Sequence, residues 1–142
     1  MKTIDEVQQD IIDEFSIFDD WMDKYALIIE QGNALPALDE KYKTPENIIQ
    51  GCQSRVWLQT DYIDGRLYFK AESDAVIVKG LLALVLSVFN DRTPDEITGS
   101  DLRFMKEIGL TEHLSPTRAN GLLVVIKQIR FYAIAYQAKS SK

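Results

Sequence analysis

Ser54-Arg55-Val56-Trp57-Leu58-Gln59-Thr60, then Asp64-Gly65, then Arg66-Leu67-Tyr68-Phe69-Lys70, is the stretch that decides the fold. The first run alternates as a strand with one buried face does, because successive side chains of extended backbone point to opposite sides. Asp-Gly between two such runs is a strong two-residue hairpin signal, since both turn positions need positive φ. Two antiparallel strands follow. Ile48 and Ile49 could add a short third strand, but periodicity cannot decide so brief a run.

Upstream, Thr3 and Glu6 form a capping box, and Ile4, Val7, Ile11 and Phe15 recur at helical spacing, predicting a helix over Thr3 to Phe15. Asp19 and Asp20 start a second helix carrying Trp21, Tyr25, Ile28 and Ile29 on one side, with Gly32 as its left-handed stop. From Asn33 to Gln50 the pattern weakens around Pro36, Asp39-Glu40-Lys41 and Thr44-Pro45-Glu46, reading as a surface connection. Downstream, Ser73 or Asp74 caps a nearly all-apolar helix over Ala75 to Phe89, which must be buried on most sides. Gly80 in its middle costs about 1 kcal/mol of helix propensity relative to Ala, which suggests close approach of another backbone. Asn90 ends that helix. Thr93-Pro94-Asp95-Glu96 caps a short one, Asp101 to Ile108 offers another that stops at Gly109, and Ser115-Pro116 starts a long last helix bearing Ala119, Leu122, Leu123, Ile126, Ile129 and Ala133. Residues 139–142 read as a fraying tail. The sum is an α+β layered chain: two helices, a small antiparallel sheet, then several helices.

The 142 residues suit one domain spanning 1–142. A net charge of −6 is the reverse of the basic footprint that nucleic-acid binding needs. The start Met1-Lys2-Thr3-Ile4-Asp5-Glu6 lacks the features of a signal peptide, and the longest apolar stretch, Ala75 to Phe89, is shorter than the ~20 residues of a membrane span. A cytoplasmic chain with no membrane association is expected.

The chain has one cysteine, Cys52, flanked by Gly51, Gln53 and Ser54 between a turn and the first strand. It has no second cysteine for an internal disulfide, and a metal site would need more Cys or His ligands than Cys52 and His113 provide. A nucleophilic thiol needs accessibility and nearby positive charge. Gly51 removes bulk beside the sulfur, and Gln53 and Ser54 can hydrogen-bond around it. Arg55 and Arg118 are the candidate cations, Arg118 adding to the positive end of the last helix. The bland alternatives are a buried, inert Cys52, solvated arginines, Asp74 as a helix cap and a structural His113. No phosphate loop, metal-ligand pair or nucleophile elbow is present, so no cofactor of its own is expected. The residues alone point to a thiol used in chemistry without naming that chemistry, and leave a redox-sensing thiol and a non-catalytic interaction module open.

Trp21-Met22-Asp23-Lys24-Tyr25 with Ile28-Ile29, Gly32 and Leu35-Pro36; Asn47 through Trp57; Ser73-Asp74-Ala75; Ile77 through Leu81; Thr93-Pro94; and Leu114 through Arg118 with Gly121-Leu122 form separated blocks in order. Together they resemble the SufE family of sulfur acceptors. The resemblance implies helices around a three-stranded meander shared with U-type cluster scaffolds. It implies that Cys52 takes persulfide sulfur from a SufS-type, pyridoxal-phosphate-dependent cysteine desulfurase, stimulates that enzyme, and passes the sulfur toward a downstream Fe–S scaffold complex. Arg118 then organises the site, Asp74 restrains the loop, and Gly51, Gln53, Ser54 and Arg55 form the loop that meets the partner. The chain would be a covalent carrier with no independent turnover. Holding a cluster itself takes several thiolates, which one cysteine does not supply.

Overall fold

The alternating run becomes β1 (Val56–Ile63), paired antiparallel with β2 (Arg66–Ser73) so that Val56 lies opposite Ser73 and Ile63 opposite Arg66. The structure is a computed structural model describing residues 2–50 and 54–140. Asp64 and Gly65 take φ of 50° and 81°, the left-handed pair that matches the strand twist. Val56, Leu58, Leu67, Phe69 and Ala71 are buried, so one face of the hairpin lies on the core.

The third strand of the expected meander does not form among the described residues, whose sheet has two strands. Ile48 makes a single antiparallel bridge to Trp57, and the Ile49 N–H donates to the Val56 carbonyl at 2.9 Å. The cause is local. Pro45–Asn47 is a 3-10 turn, and the Asn47 side-chain amide donates to the Tyr42 carbonyl and to Gln59, so extended backbone begins only at Ile48. The rest of the connection is mostly exposed, with Leu38 buried as its anchor. The Leu38 N–H donates to Glu72 at 3.0 Å, and Lys43 pairs with the other Glu72 oxygen at 2.6 Å.

Helix α1 (Ile4–Ser16) begins with the expected Thr3/Glu6 capping box, and α2 (Trp21–Ala34) with Asp20 accepting from the Met22 N–H. Gly32 does not stop α2, which continues to Ala34. Its role is contact: a Cβ on Gly32 would stand 2.8 Å from the Gly80 nitrogen, and one on Gly80 would collide with the Ile28 carbonyl. The two backbones can therefore touch only where both residues lack side chains. Helix α3 (Val76–Phe89) packs against α2, β2, α1 and α7 (Pro116–Ser140), which satisfies its apolar faces. Neither Ser73 nor Asp74 caps it. Ala75 holds the N-cap position with no side-chain bond, because Ser73 Oγ accepts from Ala75 N–H and Asp74 turns back to Arg55. Asn90 ends α3 as expected and its side chain accepts from the Phe69 N–H.

Helix α4 (Pro94–Thr98) carries the Thr93/Glu96 capping box. The helix expected over Asp101 to Ile108 shrinks to α5 (Phe104–Glu107). Buried Gln8 accounts for this: it donates to the Asp101 carbonyl and accepts from the Arg103 and Phe104 N–H groups, fixing the preceding residues outside a helix. Gly109 at φ 85° separates α5 from α6 (Leu110–His113). On α7, Leu122, Ile126, Ile129 and Ala133 are buried as expected, together with Val125, but Leu123 is 49% exposed. It lies one residue, or about 100°, around the helix from Leu122.

Gly80→Ala is expected to lower unfolding stability by about 1–3 kcal/mol through overpacking against α2, read from urea denaturation midpoints. An unchanged midpoint would show that the helices can separate freely. A second expectation concerns acid. The Lys43 hydrogen bond pulls the Glu72 carboxyl below its ordinary value of 4.5, partial burial opposes this, and the Leu38 N–H adds to the lowering. A carboxyl lowered in the folded state contributes stability that is complete above the unfolded-state value and is lost as pH falls through the folded one. Stability should therefore fall between about pH 5 and about pH 3, and Glu72→Gln should flatten that part of the profile.

Candidate functional site

The two ends of the 50–55 segment meet on the same strand. Before it, Ile49 is tied to Val56; after it, Arg55 N–H donates to Asp74 Oδ1 at 3.1 Å, and Asp74 N–H donates to the Arg55 carbonyl at 3.4 Å. The first runs from backbone to side chain and the second from backbone to backbone, just beyond the Val56–Ser73 end of the β1–β2 ladder. Asp74 thus joins Arg55 and does not cap α3. Gly51, Cys52 and Gln53 lie outside the described residues.

Ser54, where the description resumes, lines a cavity of about 390 Å³. Its apolar walls come from Val56 on β1, Val78, Leu81 and Leu82 on α3, and Leu122 and Val125 on α7. Its polar part is Ser54 with Ser115, Thr117 and Arg118. Arg118 is exposed and sits in the first turn of α7, where Ser115 Oγ accepts from its N–H at 3.3 Å. A helix N-terminus presents unpaired N–H groups and partial positive charge, so the guanidinium and helix end together make this side of the cavity electropositive. A negative charge entering it would gain from both.

The N-terminus of α7 is held in place from α2. His113 stacks its ring on Trp21 with centroids 3.9 Å apart, and its carbonyl accepts from the Tyr25 hydroxyl at 2.8 Å. Gly109 is needed there for its positive φ and because a Cβ would stand 3.3 Å from Trp21 Cζ2. His113 is therefore a structural residue, as its isolation in the sequence implied.

The structure brings Ser54 and Arg118 to one cavity and joins Arg55 to Asp74, whose neighbour Ala75 also lines the cavity. Sequence reasoning missed the apolar half of the site. Its signal was present in the i, i+4 pair Val78 and Leu82 and in the spacing of Arg118, Gly121, Leu122 and Val125. These were indistinguishable from ordinary core positions until α3 and α7 were seen to line one cavity with Ser54. Among the described residues no group of His, Cys, Asp and Glu could hold a metal ion, and no helix is long and apolar enough to cross a membrane.

The fold is similar to the solution structure of a hypothetical protein from Thermus thermophilus, with a TM-score of 0.76 at 15% identity over 93% of this chain and 96% of that one. At that identity the likeness speaks for the fold alone. An uncharacterised SufE-like protein of Rhizobium meliloti strain 1021 is 48% identical over 125 residues, covering 84% of this chain and 89% of that protein. A second, from Rhizobium etli, is 45% identical over 125 residues and 84% of each chain. The family pattern of SufE, described as a Fe-S metabolism associated domain, matches residues 9–133. The chain belongs to the SufE family and is thereby associated with Fe–S metabolism.

Proposed function

We propose that this chain is a cytoplasmic sulfur acceptor and carrier whose Cys52 takes sulfur from a SufS-type cysteine desulfurase and passes it to a downstream Fe–S scaffold complex. The Cys52 thiolate attacks the outer sulfur of the desulfurase cysteine persulfide. A new S–S bond forms at Cys52, the old one breaks, and the desulfurase cysteine leaves as thiolate, so no outside oxidant or reductant is consumed. Pyridoxal phosphate belongs to the desulfurase. Arg118 and the α7 N-terminus stabilise negative sulfur, Asp74 restrains the outgoing arm until docking, and Gly51, Gln53, Ser54 and Arg55 meet the partner.

The observation that carries this reading is the cavity lined by Ser54, two residues after Cys52, with apolar walls and Arg118 at its polar side. A persulfide in open water is exposed to reductants and oxidation, and a recess with apolar walls and an arginine at its polar side is an environment that prolongs its life. A redox-sensing thiol would be served by open access to peroxide, and an inert interaction module would have no use for the recess.

Incubation with a cysteine desulfurase and cysteine should add one sulfur to the chain by intact-mass spectrometry, and Cys52→Ser should abolish it. Only oxygen additions would favour the sensor. Arg118→Ala should lower desulfurase stimulation by about tenfold, the worth of one hydrogen bond to a charged group, with an unchanged melting temperature; full stimulation would remove Arg118 from the site. Cys52 in the free protein should alkylate more slowly than in urea, and Asp74→Ala should accelerate the reaction. Equal rates in folded wild type and unfolded chain would contradict shelter.

A further inference from the structure

The helix that supplies the cavity's polar side has a second apolar face. Its inner face, Leu122, Val125, Ile126, Ile129 and Ala133, is buried. On the opposite side Leu123 is 49% exposed, Phe131 62% and Ile134 57%, with exposed Lys127 between them. Positions 123, 127, 131 and 134 recur at the spacing that aligns side chains along one helix face, over about 16 Å of axis. Burial within this chain does not explain that face.

Charge narrows what would cover it. The protein has 22 acidic and 16 basic residues, yet α7 carries Arg118, Lys127, Arg130 and Lys139 and neither Asp nor Glu. The basic charge of α7 therefore stands out from a body even more acidic than the whole chain. Arg130 is turned inward, donating to the Ile97 carbonyl at 3.1 Å, which leaves Lys127 as the cation in the middle of the outer stripe. From this we infer that the outer face of α7, Leu123, Lys127, Phe131 and Ile134, is a docking surface for a partner protein presenting an apolar helix face flanked by carboxylates. Helix-on-helix recognition of this kind uses anchors at i, i+4 and i+8, and opposite charge beside the seam sets partner choice.

Two other occupants fit less well. A second copy related by a twofold axis would place the same patch against itself, with no carboxylate on α7 to meet either Lys127. A membrane fits less well because a single-file stripe is narrower than the broad apolar face of a helix lying in the bilayer surface.

The test uses the full chain and two synthetic helical peptides with the same leucine seam, one with glutamates at the flanking positions and one with lysines. In an NMR titration the glutamate peptide should shift amide signals of residues 123–134 and bind more tightly than the lysine peptide by about tenfold or more. Phe131→Asp should remove binding while leaving the melting temperature and sulfur uptake unchanged. Lys127→Glu should reverse the preference between the peptides, which loss of folding could not do. Equal binding of the two peptides, no binding of either, or shifts located elsewhere would overturn the proposal. So would a dimer in sedimentation velocity that Phe131→Asp dissolves, or Phe131-dependent co-sedimentation with phosphatidylserine vesicles in place of peptide binding.

Discussion

Backbone contact between α2 and α3 is the constraint on which the remaining geometry rests. Helix α3 is apolar around nearly its whole circumference, so it must be enclosed by other elements. At Gly32 and Gly80 the two helices approach to where a methyl group would collide with main-chain atoms. That proximity brings α2 close enough to leave the other sides of α3 for β2, α1 and α7. The cavity beside Val56 is lined by α3 and α7, and the Trp21–His113 stack holds the residues just before α7 against α2.

The cavity combines two environments that usually oppose one another. Apolar walls penalise charge by desolvation, which alone would raise a thiol's pKa, whereas a helix end and a guanidinium favour the anion. Their arrangement on different sides of one recess separates the roles: α3 and the inner part of α7 supply apolar walls, and the first turn of α7 supplies positive potential. The same helix thus serves the core, the recess and, through its outer stripe, solvent. This explains why no single amphipathic pattern describes α7.

Much of the fold was legible because its determinants are local. The hairpin was carried by alternation and by Asp64-Gly65; both capping boxes were carried by residues three apart; and Gly80 flagged a backbone approach through its cost to the helix. What failed was decided by distant partners. Gly32 looks like a helix stop until α3 is placed against it, Asp74 looks like a cap until Arg55 arrives, and the shortening of α5 depends on a glutamine more than ninety positions earlier in the chain. The absence of a third strand among the described residues was settled by the turn at Pro45–Asn47, which consumes the residues a longer pairing would need. At the candidate site, Ser54 and Arg118 stood out in the sequence by type and position, while Ser115, Thr117 and the hydrophobic walls carried no mark distinguishing a lined recess from a filled core.

Gln8 has one more implication, for the limits of the folding unit. It is 1% exposed and meets the Arg103 and Phe104 amides with one oxygen at 2.7 and 3.2 Å, yet the stretch shared with the family begins at residue 9. A polypeptide trimmed to that common stretch would strand two inward-facing amides, at about 1–3 kcal/mol each. Gln8 thus ties the first helix to the stretch that leads into α5, although the family match does not reach it.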